Sequence, residues 1–429
     1  MSGGPRFDQA LAGAVAWARA HPELGADMYL IRDVHGRVRV LAQTPPGEAA
    51  ADDLHRALGA FSPGRSSLFL DGTLFTPEEL ARDRAPVTEG VWLIDRLVSE
   101  QGWRRPSVAK DGHKPRVTFF GIKGGVGRST ALVALAKRLA EKGRRVLVVD
   151  LDLESPGTTS MLLAPSELPA YGVVDWFVED AVGQGDDELL RGMVNPSRVG
   201  EILVTPSLGT TSVPDDRAPS LRDGGFVAKL GRVYASPDGS EFATRLERLL
   251  EGLERVHEPD VVLLDSRAGL HDVSAAAVPR LGGTALLFAG ATSQTWLGYR
   301  LLFSAWARDR EVLEGFRDRL RVVASLVPET GREAYVDRVR LSAYDLFSSF
   351  VYDSSENEDA LLPDVRDPDA PHAPIPIFWR REFVECEPAA PPGATNEGMT
   401  PEQFDAAFAP YLRAVGGLRE VAHLFDEDP

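Results

Sequence analysis

The sequence predicts an α/β protein: a doubly wound, mostly parallel sheet preceded by a small α/β N-terminal domain. Three observations predict it. At 429 residues the chain is too long for one typical domain. From Arg116 onward, short apolar runs alternate with helical segments: "VTFF", "RVLVVD", "EILVTP", "DVVLLD", "TALLFAG", "RVVASLV" and "IPIF". These runs are apolar at successive positions, which is the pattern of parallel strands covered on both faces. The residues before Arg116 carry a different and shorter pattern.

Residues 1–105 form the small domain. Phe7–Ala20 has helical periodicity, and "MYLIRD" and "RVRVLA" flank "VHG" as a hairpin. "DDLHRALGAF" reads as a helix and "GVWLIDRLV" as a further strand. No catalytic constellation stands out there. "PSVAKDGHKP", residues 106–115, is rich in turn formers and charge and is expected to be a linker. The sheet domain spans 116–385. Its first helix shows an i, i+3, i+4, i+7 stripe of Leu132, Leu135, Ala136 and Leu139, stopped by Gly143. Two long, polar, proline-bearing segments, "SVPDDRAPSLRDGGF" and "DSSENEDALLPDVRDPDAPHAP", read as surface insertions. Residues 386–429 hold the proline-rich "PAAPPGA" and closing helices within Pro401–Phe425. No internal repeat is visible.

Composition narrows the function classes. A net charge of −17 opposes nonspecific binding to nucleic acid or anionic membrane, which require a basic footprint. No apolar run approaches the ~18 residues of a spanning helix. "ALAGAVAWARA" resembles a signal-peptide core, but Asp8 precedes it and Arg19 and His21 close it, so an amphipathic helix is expected. The one cysteine, Cys386, excludes an intrachain disulfide framework and a cysteine metal cluster, and fits a reducing cytoplasm. His113 and His271 lack metal-ligand company. "FWRREFVECEP" reads as core packing with a solvated edge. Six of the 47 basic residues are lysines, a bias that makes any single arginine in place of lysine unsurprising.

The chemistry concentrates in "VTFFGIKGGVGRST": a strand, a glycine-rich turn and a helix start, the context of a phosphate-binding loop. Gly121, Gly124, Gly125 and Gly127 let backbone N–H groups around Val126 cradle phosphate oxygens. The following helix adds its N-terminal donors and dipole. Arg128 occupies the place usually held by lysine. Ser129 offers a hydroxyl to Mg²⁺ and Thr130 one to an α-phosphate. Two further strands end in carboxylates. "RVLVVDLDLESPG" presents Asp150 and Asp152, and "PDVVLLDSRAGLHD" presents Asp265. The C-terminal ends of parallel strands are where α/β ligands bind.

"KGGVGRST" closely resembles the deviant Walker A motif of the ParA/MinD family, in the SIMIBI class of P-loop NTPases, in a KGGVGR variant form. The resemblance covers roughly Arg116 to Phe378. It implies ATP and Mg²⁺ as ligands, a P-loop NTPase domain and a homodimer in the ATP state. Lys123 matches the signature lysine, which acts on the partner subunit's phosphates. Asp152 would position or activate the attacking water, Asp150 would support the metal shell, and Asp265 would hold Mg²⁺, through water or via Ser129. The chain departs from the family where "VLLIDLDPQG" has its proline: Glu154 stands there and Pro156 comes later. The family's DTPPG is here Asp265-Ser266-Arg267-Ala268-Gly269, so Arg267 is extra.

An arginine in the loop keeps the charge but relocates the donors, because its guanidinium is planar and forked. Binding is expected to survive better than turnover, since misplacement by about 1 Å costs up to ~10²-fold in rate. The expected function is a slowly hydrolysing ATPase that acts as a dimerising switch for a protein partner, with the N-terminal domain offering the partner surface. The alternative is a non-catalytic nucleotide-binding adaptor. A DNA-partitioning role is disfavoured by the acidic balance, and a membrane cycle by the acidic end "GGLREVAHLFDEDP". Adenine is expected because no [NT]KxD guanine motif occurs, although Ser325 stands where relatives often carry a base-contacting asparagine.

Overall fold

The apolar runs after Arg116 become strands because every residue in most of them is shielded on both faces. The computed structural model describes residues 4–72, 75–96, 102–198, 200–210, 225–235, 240–353, 361–381 and 400–426. The chain divides into two compact units, Met1–Glu100 and Gln101–Pro429.

The first unit contains α1 (Phe7–Ala20), β1 (Met28–Arg32), β2 (Val38–Leu41), α2 (Glu48–Leu58), α3 (Pro77–Asp83), β3 (Arg84–Thr88) and β4 (Val91–Asp95). Its sheet has the order β2-β1-β4-β3. The hairpin β1–β2 is antiparallel, whereas β1 and β4 run parallel. Ala10, Ala14 and Trp17 of α1 and Leu54 and Leu58 of α2 cover one face, over Leu30 and Val40. β3 and α3 were not expected from the sequence. β3 carries Pro86 and an almost fully exposed face, so it lacks the apolar period that marks a strand.

The second unit opens with β5 (Arg116–Gly121), α4 (Arg128–Glu141), β6 (Val146–Leu151), α5 (Gly157–Leu162), α6 (Val173–Asp180) and α7 (Asp187–Arg191). It continues through β7 (Asn195–Pro196), β8 (Ile202–Thr205), α8 (Gly225–Leu230), α9 (Phe242–His257), β9 (Val261–Ser266) and α10 (Asp272–Ala277). The remainder is β10 (Thr284–Ala289), α11 (Ser293–Trp306), α12 (Arg310–Glu314), β11 (Leu320–Val327), α13 (Arg332–Phe350), β12 (Ile375–Phe378) and α14 (Pro401–Gly416). The sheet order is β12-β11-β10-β5-β9-β6-β8-β7, with β5 near the centre. All pairings are parallel except that of the two-residue edge strand β7.

Successive strand residues face opposite helical layers. Val117, Phe119, Leu263 and Phe288 pack with Leu132, Leu135 and Leu139 of α4 and with Phe408 and Tyr411 of α14. Leu147, Val262 and Leu264 pack instead with Leu246, Leu249 and Leu253 of α9. Phe120, Leu287 and Val322 face Phe303 of α11 and Phe347 of α13. The stripe Leu132, Leu135, Ala136 and Leu139 is wholly buried, and α4 stops at Gly143, whose φ of 75° suits the left-handed position after a helix.

Two boundary expectations change. The expected linker 106–115 is docked on the second unit: the N–H groups of Val108 and Ala109 donate to the Arg280 carbonyl at 2.9 and 3.2 Å. Lys110 pairs with Glu251 at 2.7 Å, and upstream Trp103 packs at a tilt against Phe120 and Trp306. The division therefore falls after Glu100. The insertion "SVPDDRAPSLRDGGF" lies almost wholly outside the described residues, as do "PAAPPGA" and Cys386. Of the second insertion, residues 354–360 lie outside them. The remainder is not simply solvated: His372 is buried and lies 2.5 Å from the Tyr352 hydroxyl.

Candidate functional site

Parallel strands aim their C-terminal ends, and the loops that follow, at one edge of the sheet. β5, β6 and β9 are neighbours there, and Asp150 pairs in register with Asp265 across β6 and β9. The expected residues from three distant segments therefore meet.

The loop from Gly121 to Arg128 depends on its glycines at defined positions. Gly125 and Gly127 have φ of 70° and 79°, the left-handed region closed to most side chains. Gly127 precedes the first turn of α4, so the helix's free N–H groups face the loop interior. Gly124, Gly125 and Lys123 are exposed, whereas Val126 is buried beneath the loop. Ile122 nests on α11, where a Cβ at Gly298 would come within 2.3 Å of its Cγ2.

Below the loop lies a buried polar knot. The Ser129 hydroxyl donates to Asp265 Oδ2 at 2.7 Å, and the Thr158 hydroxyl donates to the same oxygen. Asp265 Oδ1 is buried without a hydrogen-bond partner among the described residues. Asp150 Oδ2 accepts from the Thr159 N–H at 2.9 Å and the Thr159 hydroxyl at 2.6 Å; Asp150 Oδ1 accepts from the Asp152 N–H at 3.1 Å. Asp150 thereby holds the turn that presents Asp152, and its oxygens are already engaged. Burial, with Asp265 alongside, pushes the Asp150 carboxyl up to about 7. Burial also raises Asp265, against the charge of Arg128 and the two hydroxyls. It raises Asp152 too, against Arg128.

These residues fit Mg²⁺. A hard dication wants oxygen ligands, and here a hydroxyl stands beside a buried carboxylate with an unengaged oxygen. Ser129 and Asp265 are the pair that would hold it, with Asp150 acting through the backbone of Asp152. The cation would also offset the burial that raises the carboxyls and the crowding of Asp150 by Asp265.

Arg128 is the departure. Its side chain is 7% exposed and turns toward the end of β9, where Nη1 donates to the Ser266 carbonyl. Nη2 reaches Asp152 Oδ2 at 3.4 Å. The loop cation is thus bonded to protein oxygens. Beyond it, the Arg267 guanidinium pairs with Glu154 at 2.5 Å. Sequence reading missed Thr158 and Thr159; their bonding to strand-end carboxylates 107 and 9 residues away follows from the packing of α5.

A central parallel strand leading through a glycine loop into a helix, flanked by strand-end carboxylates, defines the class: a P-loop nucleotide-binding fold. Residues 117–329 match the model of the CobQ/CobB/MinD/ParA nucleotide binding domain. The match lies within the second unit, and the first unit lies outside it. The chain is similar to the chromosome-partitioning ATPase Soj of Thermus thermophilus, at 32% identity over 176 residues. That match covers 39% of this chain and 65% of Soj, so less than two thirds of the relative is spanned. Among solved structures, apo McdA of Cyanothece aligns with a TM-score of 0.42 and 13% identity, covering 71% of this chain and 100% of that one. MinD of Pyrococcus horikoshii, complexed with Mg-ADP, aligns at 0.42 and 16%, covering 73% and 100%. Among the described residues no helix is long and apolar enough to cross a membrane.

Proposed function

We propose that the protein binds ATP with Mg²⁺ at this loop, hydrolyses it slowly, and serves as a nucleotide-dependent dimerising switch for a protein partner in the cytoplasm. The observation that carries the reading is the Ser129 hydroxyl bonded to a buried Asp265 carboxylate directly beneath two left-handed glycines. The backbone N–H groups from Gly124 to Thr130 would cradle the phosphates. Mg²⁺, when bound by Ser129 and Asp265, supplies positive charge to the terminal phosphate oxygens. Asp152 would orient or deprotonate the attacking water. Lys123, exposed at the loop's tip, is free to meet a second subunit's phosphates.

The seat of Arg128 supports the slow turnover proposed. Its guanidinium contacts Asp152, the proposed water-orienting group, and is bonded to a main-chain carbonyl. It must leave both before it can follow charge on a terminal phosphate. The same contact supports the second reading, a nucleotide-binding adaptor that does not turn over. DNA partitioning, the role in Soj's name, is opposed here by the charge of −17.

The test is mass measurement of the apo, ADP-bound and ATP-analogue-bound protein, with hydrolysis followed in parallel. The switch reading expects a doubled mass with the analogue and a low rate that Asp152→Ala removes. Binding without turnover selects the adaptor, and binding of neither nucleotide overturns both.

A further inference from the structure

Two loops flank Asp152, and the Arg267–Glu154 ion pair is one of the contacts that link them. Arg267 lies in the loop leaving β9, one residue beyond the carbonyl that Arg128 holds. Glu154 lies in the loop leaving β6, two residues beyond Asp152. Their side chains meet at 2.5 Å and are 34% and 25% exposed. Only Glu154 Oε1 is engaged: it faces Arg267, the Tyr234 hydroxyl at 3.4 Å and His271 Nε2 at 3.8 Å, while Oε2 is buried without a partner among the described residues. The Gly269 N–H donates to the Gly121 carbonyl at 2.9 Å, so the loop that carries Arg267 is tied to the start of the glycine loop.

The site has two arginines in unequal situations. Arg128 is almost wholly buried, with both terminal nitrogens facing protein oxygens. Arg267 is a third exposed and tied to one carboxylate oxygen. A partly exposed ion pair is a weak tie. A terminal phosphate offers a guanidinium more charge than one carboxylate and the chance of paired bonds.

We propose that Arg267 is the cation that reads the third phosphate: Glu154 holds it when that phosphate is missing, and the phosphate draws it away when present. This deepens the nucleotide-binding reading above and rests on it. Loss of the Arg267–Glu154 tie removes one of the links between the loop after β6 and the loop after β9, so occupancy by a triphosphate loosens one loop against the other. Glu154 then keeps Tyr234 and His271 as its neighbours. The device would sense the phosphate within one subunit, in distinction to Lys123 acting between subunits.

The experiment is titration calorimetry on the full chain with Mg-ADP and with a Mg-bound non-hydrolysable ATP analogue. Arg267→Ala is expected to weaken the analogue about tenfold more than ADP, and Arg267→Lys to recover part of that difference. Glu154→Gln, which releases Arg267, is expected to move selectivity the other way, toward the triphosphate. Melting curves confirm that each variant folds. Equal losses for both nucleotides in Arg267→Ala would overturn the proposal. So would a Glu154→Gln variant that reproduces Arg267→Ala, which would make the pair a simple brace. Wild-type protein binding neither nucleotide would remove the nucleotide reading itself, and this inference with it.

Discussion

Arg128 keeps the charge a phosphate loop needs and spends its donors on Ser266 and Asp152. Lysine's shorter reach and single ammonium would leave Asp152 less encumbered. Arg128→Lys is therefore expected to raise turnover by about 10–10²-fold while nucleotide affinity changes far less. A phosphate-release assay beside a binding titration checks this, and unchanged turnover would contradict it. Asp265 poses the complementary question. Its carboxylate is fully buried with one oxygen unpartnered among the described residues, a charge kept at the expense of stability. Asp265→Asn is expected to stabilise the nucleotide-free protein by about 1 kcal/mol and to abolish the extra thermal shift that Mg²⁺ adds to nucleotide. Denaturation with and without Mg²⁺ reads both signs. At this scale the glycines, Ser129, Asp152 and Asp265 were legible because their chemistry is local to a strand end. Thr158, which shares an oxygen of Asp265, was not, because nothing in "PGTTS" indicates a partner in β9.

Elements were legible where burial is uniform. Each strand from β5 to β12 that sits within the parallel sheet shows in the sequence as an apolar run; β7, two residues with a proline, leaves no such mark. Contact between elements can also reverse a local preference. Gly298 lies inside α11, where helix propensity alone would have alanine stabilise by about 0.5–1 kcal/mol. A Cβ there would meet Ile122 at 2.3 Å, so overpacking governs and Gly298→Ala is expected to destabilise by about 1–3 kcal/mol. Nucleotide affinity should fall as well, since Ile122 is part of the loop; chemical denaturation and a binding titration test the two effects. The connection after α13 is anchored by Asp353, which accepts from Arg317 at 2.9 Å and from the Leu361 N–H at 2.8 Å, with Arg310 adjacent. The Arg317 hydrogen bond leads in holding its carboxyl at about 2, below the usual 3.8. A depressed carboxyl contributes stability above about 3.8 that is lost as pH falls toward 2. The stability gap between wild type and Asp353→Asn should accordingly shrink over that interval, and a constant gap would show that the anchor carries no ionic part.

For the whole molecule, the proposed switch requires a second copy, and Lys123 is the residue that would report it. Lys123→Ala is expected to leave ADP binding intact and to prevent the mass increase with an ATP analogue. Light scattering at several protein concentrations measures this, and an unaltered dimer would remove Lys123 from the interface. The order of chemistry along the chain was readable from residues alone: alternating strands and helices, a glycine loop with its cations, and carboxylates at two strand ends. Periodicity and motif spacing are short-range properties, and a single chain displays them directly. The bonding of Arg128 to Ser266 and Asp152, the seating of residues 106–115 on the second unit, the shared oxygen of Asp265 and the Arg267–Glu154 tie came only from the folded molecule. Each is a contact between segments far apart in sequence, and the direction a long side chain takes is set by which partner the sheet brings within reach.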